Sequence, residues 1–236
     1  PTTLLAQVDA SVGGKTAINH PKGKNLVGAF HQPAAVVIDS ATLSTLPDRE
    51  FNAGMAEVVK YGAIRDAGFF SWLESNVKAI RSRSSHALNQ LIYESVKNKA
   101  EIVAEDEKEA GVRALLNFGH SFGHALEAVT GYSRFLHGEA VAIGMVTASY
   151  LSENRQLCPA EVTRRLADLL LGFDLPIRQP GDIPIADLVD ALALDKKAIA
   201  SGLRLILLTG IGQAHIDHDS LPADIIAAME MNLSKH

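Results

Sequence analysis

The sequence predicts a mainly α-helical protein preceded by a short strand-and-loop segment. From Glu50 onward, apolar residues recur at intervals of three and four, the period of a helix with one buried face. Before Glu50 the apolar runs are short and broken by Gly and Pro, a pattern of strands and turns. Two further short apolar runs near the end, 203–209 and 213–217, read as a strand pair.

In chain order, residues 3–8 and 35–39 read as strands, and Ser11-Val12-Gly13-Gly14-Lys15-Thr16 as a Gly-rich loop running on to Lys22, Lys24 and Asn25. Helical periodicity then predicts helices at about 49–64, 67–82, 86–108, 114–130, 138–155, 159–173 and 184–194, with a closing helix from about 221. The change of pattern near residue 50 predicts two units, 1–50 and 51–236. No internal repeat or low-complexity tract interrupts them.

Composition excludes several functional classes. The 236 residues carry a net charge of −5, which argues against a general nucleic-acid binder. No run approaches the ~20 apolar residues that a membrane span requires. The start, Pro1-Thr2-Thr3-Leu4-Leu5, has no initiator Met and no basic n-region, so it is expected to be no signal peptide and to begin inside a longer protein. The single cysteine, Cys158, rules out an internal disulfide framework and suits a reducing compartment, so cytoplasm is expected.

The strongest chemical signal lies between Arg113 and Glu127. Arg113, Asn117, His120, His124 and Glu127 are spaced 4, 3, 4 and 3 apart, which on one helix puts all five on a single stripe. Gly119 and Gly123 each weaken a helix by roughly 1 kcal/mol relative to Ala, so close packing or ligand approach is expected to offset them. His120 and His124, at i and i+4, can face one site, and His137 opens the next helical run.

Other charged residues fall where apolar ones are expected. Glu57 and Lys60 share a helix face at i, i+3. A solvated ion pair is the plain reading, but their neighbours are small or apolar on every side, and a buried carboxylate needs a cation or several donors. Lys99 interrupts the apolar stripe Leu88, Leu91, Val96, Ile102; it is either a snorkelling lysine or an ammonium aimed at an anion. Glu57 with His120 and His137 makes a set of two imidazoles and one carboxylate with an open position, the pattern of catalytic zinc. Residue 121 is Ser rather than Glu, so a zincin peptidase is a poor match. The Gly13-Gly14-Lys15-Thr16 turn lacks the first Gly of a P-loop, since that position is Asp9, although its amides and lysines suit a phosphate. Asp195-Lys196-Lys197 reads as a charged turn.

Taken in order, these segments resemble the 3-dehydroquinate synthase family. The resemblance rests on Pro1 to Thr16, on Ala56-Glu57-Val58-Val59-Lys60-Tyr61-Gly62, on Asn117-Phe118-Gly119-His120-Ser121-Phe122-Gly123-His124, and on His137-Gly138-Glu139-Ala140-Val141. It runs to about residue 217 and covers the C-terminal two-thirds of such an enzyme. It implies a fold that is mainly α with an α/β remnant, a helical C-terminal domain following the end of a Rossmann-like NAD-binding domain. It implies conversion of 3-deoxy-D-arabino-heptulosonate 7-phosphate to 3-dehydroquinate and phosphate, with NAD and a divalent metal, Zn2+ or alternatively Co2+. The implied metal ligands are Glu57, His120 and His137. The implied substrate-contacting residues are Asp9, Lys15, Asn25, Lys60, Lys99, Arg113, Asn117 and His124, with one of Lys196 and Lys197. Of these, Lys15, Asn117 and His124 are expected near the phosphate, and Lys99 and Arg113 near the carboxylate. Thr2, Thr3, Lys15, Lys24, Thr42, Leu43, Ser44 and Thr45 are implied along NAD. A homodimer, acting on a small sugar phosphate without nucleic acid or membrane, is the implied assembly. The alternatives are another sugar-phosphate cyclase of the inosose or valiolone type, a metal-dependent polyol dehydrogenase, and a helical domain that does not turn over by itself.

Overall fold

The computed structural model describes residues 1–20, 23–109, 111–198 and 204–234, with the side chains of 19–20, 23–26 and 194–198 outside the description. Eight α-helices dominate the described residues: α1 (Asp48–Ile64), α2 (Ala67–Arg81), α3 (Ser85–Glu105), α4 (His120–Val129), α5 (His137–Asn154), α6 (Ala160–Gly172), α7 (Ile185–Ala198) and α8 (Pro222–Met231). Two antiparallel hairpins accompany them, β1 (Lys15–His20) with β2 (Gly23–Phe30) and β3 (Leu205–Gly210) with β4 (Gln213–Asp217).

The composition of α5 sets the architecture. From His137 to Ser152 it has almost no polar face, and a helix apolar on all sides must lie at the centre. It does, with α1, α4, α6, α8 and β3 packed around it. Helix α1 is buried continuously from Ala53 to Ile64, so Glu57 and Lys60 are interior residues rather than a solvated pair. Leu4, Val8 and Leu43 join the same core as α1. Side chains start the helices where the sequence supplies them. Asp66 accepts from the Phe69 amide at 2.8 Å to begin α2, and Glu139 accepts from the Leu136 amide at 2.8 Å to begin α5. No helix among the described residues is long and apolar enough to cross a membrane.

Five sequence expectations are corrected. The expected helix 114–130 is two pieces, a 3-10 helix at Val112–Asn117 and then α4, separated at Gly119. Gly119 has φ +79°, a left-handed conformation that favours glycine, and a Cβ on it would meet the Met145 backbone nitrogen at 2.7 Å. Residues 3–8 are not a strand: Leu4 and Leu5 are helical and lead into a short π-helix, Ala6–Ala10. Residues 35–39 are irregular, because a strand needs a partner for its amides and carbonyls and no described segment pairs with them. The Gly-rich loop ends sooner than expected, since at Lys15 the chain enters the β1–β2 hairpin, in register Lys15 to Phe30 and Ile18 to Val27. Helix α3 ends at Glu105, three residues short of the expected 108.

Candidate active site

Three helices bring Glu57, His120 and His137 together. Glu57 lies mid-way along α1, while His120 and His137 are the first residues of α4 and α5. His120 Nε2 is 3.5 Å and His137 Nε2 3.8 Å from Glu57 Oε1. Glu57 is wholly buried, and its Oε1 has no hydrogen-bond donor. Ligand atoms of a tetrahedral zinc, each ~2.0–2.1 Å from the ion, stand about 3.3–3.4 Å apart, so the two imidazole nitrogens lie within a few tenths of an ångström of that spacing from Glu57 Oε1. A buried carboxylate oxygen without a donor is costly, and a cation between it and the two imidazoles would satisfy it. The donor set therefore fits a metal. Glu57 Oε2 is in contact with the Lys60 ammonium, itself 2% exposed.

Both imidazoles have their other nitrogen engaged. His120 Nδ1 lies 3.1 Å from the Phe118 carbonyl oxygen, and His137 Nδ1 lies 3.4 Å from Glu127 Oε2. Burial, followed by the nearby charges of Lys60, His137 and His124, holds His120 well below the ordinary histidine pKa. Burial also opposes the charged form of His137, but the Glu127 hydrogen bond and the charges of Glu57 and Glu127 outweigh it and raise its pKa. His124 is the third ring of this cluster, with its centroid 5.5 Å from that of His120 and 5.9 Å from that of His137.

Beside the cluster, Lys99 reaches from α3 to Asp9, its Nζ 2.6 Å from Oδ1 and 2.5 Å from the backbone oxygen. The Tyr61 hydroxyl donates to the same carboxylate at 2.9 Å. Burial raises the Asp9 pKa, but Lys60 and Lys99 and the two hydrogen bonds overcome it, holding the carboxyl far below its usual range. Burial depresses the Lys99 pKa, and Asp9 offsets only part of that. Lys99 is thus 7% exposed and ion-paired, so it is no snorkelling lysine.

A cleft of about 840 Å3 opens between the π-helix, the β1–β2 hairpin and α3, lined by Asp9, Lys15, Thr16, Gly28, Phe30 and Lys99 among others. At its edge Lys15 pairs with Glu109, which also accepts from Asn117 Nδ2 at 2.7 Å. Burial raises the Glu109 pKa, but hydrogen bonds from Lys15 and Asn117 and the charges of Lys15 and Arg113 bring it below the usual value. Glu109 holds φ at 61°, an uncommon conformation for a residue with a side chain. Arg113 is 2% exposed and donates to the Gly13 oxygen at 2.7 Å and to the Glu107 oxygen.

Apart from Lys15, which lines the cleft, and Lys24, the expected cofactor residues occupy a different part of the surface. Thr3 Oγ1 accepts from the Ala6 amide at 3.2 Å, and buried Gln7 donates to Thr42 Oγ1 and to the Asp39 oxygen, both at 3.0 Å. Gln7 ties the start of the chain to the 3-10 turn Ser40–Thr45. Thr2, Ser44 and Thr45 are exposed there, whereas the Leu43 side chain is fully buried and leaves only its backbone to face a ligand. The side chains of Lys24, Asn25, Lys196 and Lys197 lie outside the described residues.

Residues 54–198 match the family described as 3-dehydroquinate synthase C-terminal, and residues 1–53 the one described as 3-dehydroquinate synthase N-terminal. The chain belongs to the 3-dehydroquinate synthase family. It is 56% identical over 219 residues to the 3-dehydroquinate synthase of Colwellia psychrerythraea, covering 93% of this chain and 62% of that protein. It is 55% identical over 222 residues to that of Halorhodospira halophila, covering 94% and 62%. The chain thus spans about 62% of the length of these curated relatives. Among solved structures, it resembles a 2-epi-5-epi-valiolone synthase from Streptomyces hygroscopicus with NAD+ and Zn2+ bound, with TM-score 0.89, 30% identity, and 98% of this chain and 64% of that one covered. It also resembles a 2-deoxy-scyllo-inosose synthase complexed with carbaglucose-6-phosphate, NAD+ and Co2+, with TM-score 0.86, 28% identity, and 99% and 66% covered.

Within this family member the sequence reading missed Tyr61, Glu109 and Gln7 as residues of the site. Tyr61 sits in the segment Ala56-Glu57-Val58-Val59-Lys60-Tyr61-Gly62, yet a tyrosine in an apolar helix reads as core. Glu109 lies in the acidic run Glu105-Asp106-Glu107-Lys108-Glu109, which by pattern is a solvated turn.

Proposed function

We propose that this chain forms the metal- and substrate-binding part of a 3-dehydroquinate synthase, which converts 3-deoxy-D-arabino-heptulosonate 7-phosphate to 3-dehydroquinate and phosphate. The observation that carries the proposal is the buried Glu57 Oε1, without a donor and faced by two imidazole Nε2 atoms from two other helices. Family membership supports this specific reaction for the metal-fitting geometry.

Glu57, His120 and His137 would hold Zn2+, with Co2+ as the alternative, since a His2Glu set with an open position suits either ion. When bound, the metal supplies a Lewis acid for a substrate hydroxyl and NAD supplies a hydride acceptor that later returns the hydride. The chain's own residues supply position and charge. Lys60 balances Glu57 on the side away from the imidazoles. Asp9, held ionised by Lys99 and Lys60, gives the cleft a fixed acceptor beside an ammonium. Arg113 suits the substrate carboxylate, because a guanidinium can bind it with two parallel hydrogen bonds, and Lys99 lies on the same side of our assignment. Lys15, Asn117 and His124 are assigned to the phosphate, and Asn25 with one of Lys196 and Lys197 to the rest of the substrate. Thr2, Thr3, Lys15, Lys24, Thr42, Leu43, Ser44 and Thr45 are assigned to NAD.

We divide the chain near residue 50, place the protein in the cytoplasm and assign it a homodimeric assembly. The single cysteine, Cys158, can form no internal disulfide, which supports a reducing compartment; burial pushes its thiol up to about 11.

The test is phosphate release in a protein of the relatives' full length that carries this chain, supplied with NAD and zinc. Turnover of the heptulosonate phosphate and not of sedoheptulose 7-phosphate is expected. Turnover of the second alone would replace the proposal with the valiolone type of cyclase, and net NADH without phosphate would indicate a polyol dehydrogenase.

A further inference from the structure

Glu127 closes the polar stripe of the sequence, and the function proposed above gives it no part. We propose that Glu127 is a positioning residue that holds the His137 imidazole in the tautomer and orientation required for metal binding through Nε2, an inference that rests on the metal site proposed above.

An imidazole has two distinct nitrogens, and the partner of one decides what the other can do. The two histidines solve this differently. His120 Nδ1 is turned to the neutral Phe118 carbonyl of its own approach segment. His137 Nδ1 is turned to Glu127 Oε2, a carboxylate on the neighbouring helix α4. With Nδ1 occupied as a donor, Nε2 of His137 keeps its lone pair and points to Glu57 Oε1. An unpartnered neutral imidazole in water favours the opposite tautomer, with the proton on Nε2, where it would block the ligand position.

Glu127 is 4% exposed, and a carboxylate is rarely buried unless something in the interior uses its charge. Its placement is also economical in structural terms. His120 and Glu127 are seven residues, about two turns, apart on α4 and so share a face. One helix therefore supplies a ligand and the group that orients the ligand from the next helix. Close packing keeps α4 against α5 at that level: a Cβ on Gly123 would stand 3.1 Å from the Ala140 carbonyl carbon.

The experiment has two readouts on this chain. In metal-free protein with 15N-labelled histidine, at mildly alkaline pH, wild-type His137 is expected as the Nδ1–H tautomer. Glu127→Ala is expected to move it towards Nε2–H, while Glu127→Gln, whose amide oxygen can still accept, keeps it. In zinc competition against a chelator, Glu127→Ala is expected to bind roughly 10- to 100-fold more weakly, with Glu127→Gln between it and wild type. An unchanged tautomer in folded Glu127→Ala overturns the proposal. So does a second zinc equivalent bound by the wild type and lost in Glu127→Ala, since Glu127 would then be a ligand together with His124 and His137, whose donor atoms also lie within 4.8 Å of one another. If Glu127→Ala does not fold, wild-type zinc affinity in Glu127→Gln overturns the part assigned to the carboxylate's charge. A wild type with the expected tautomer but no zinc supports the hold on His137 and overturns the metal reading instead.

Discussion

Gly138 of α5 and Ala53 of α1 meet backbone to backbone: a Cβ on Gly138 would stand 1.8 Å from the Ala53 carbonyl oxygen. Gly138 follows His137 directly, and Ala53 lies one turn before Glu57. The two helices therefore touch backbone to backbone where they deliver their candidate ligands.

Gly138→Ala is therefore expected to lower stability by about 1–3 kcal/mol or more through overpacking, and to weaken zinc binding because α1 and α5 must separate. Gly172→Ala, whose Cβ would meet Val77 only at an ordinary 3.4 Å, is the control that leaves zinc binding unchanged. Denaturant unfolding and chelator competition measure the two effects. Wild-type zinc affinity in Gly138→Ala would show that the helix spacing does not set the site.

Lys60 and Glu57 form an ion pair with both partners buried. Lys60→Met removes the ammonium and strands the carboxylate, which costs about 3–5 kcal/mol when nothing else compensates. Zinc would compensate, so the loss measured by denaturant unfolding is expected to be smaller with zinc than without it. Equal losses in the two conditions would show that Glu57 does not face a bound cation.

Protons and metal compete for His137. Its raised pKa means that the metal-free protein gains stability from the charged ring, a gain complete below the unfolded value of about 6.5 and lost as pH rises through the folded value. Metal binding follows the opposite sign, weakening as pH falls into that window and releasing a proton on binding. His120, held neutral, does not compete there. Isothermal titration in buffers of different ionisation enthalpy counts the proton, and its absence would remove His137 from the ligand set.

Far from the site, Asp217 at the end of β4 joins Arg155 of the α5 C-terminus and accepts from the Ser220 hydroxyl at 2.6 Å and the Ser220 amide at 3.0 Å. Burial raises its pKa, but Ser220 and Arg155 outweigh burial and lower it. The resulting stability is present above the unfolded value of about 3.9 and lost as pH falls through the depressed value. Asp217→Asn is expected to flatten the acid limb of a stability–pH curve between those values and to lower stability at neutral pH. An acid limb as steep as that of the wild type would place the titration elsewhere.

The helices from α1 onward were legible because each buries one face or every face over ten or more residues, enough repeats for a period to stand out. The segment 3–8 was not legible, because six residues of Thr, Leu, Ala, Gln and Val fit a strand and a helix turn equally well. The β1–β2 hairpin was hidden by Gly28 and by polar residues on both strands, which weaken any alternation. In the site, the residue types that could ligate a metal and their spacing were readable from the polar stripe, but the stripe is not one helix. Arg113 and Asn117 reach Gly13 and Glu109, beside the cleft, from a 3-10 segment before the break, and only the φ of Gly119 reveals that. Tyr61 and Glu109 were illegible for another reason: their parts depend on Asp9 and Lys15, partners 52 and 94 residues away.

The break at Gly119 divides labour between two short segments that would otherwise turn as one rod. Upstream stand Arg113 and Asn117, and downstream stand His120, His124 and Glu127. On the assignments proposed above, a replacement in the upstream piece would change what the cleft accepts without rotating the histidines of the downstream piece out of register. With those assignments, the fold would let recognition drift while the geometry of the candidate ligands is inherited intact, an arrangement suited to the appearance of new substrate preferences by few substitutions.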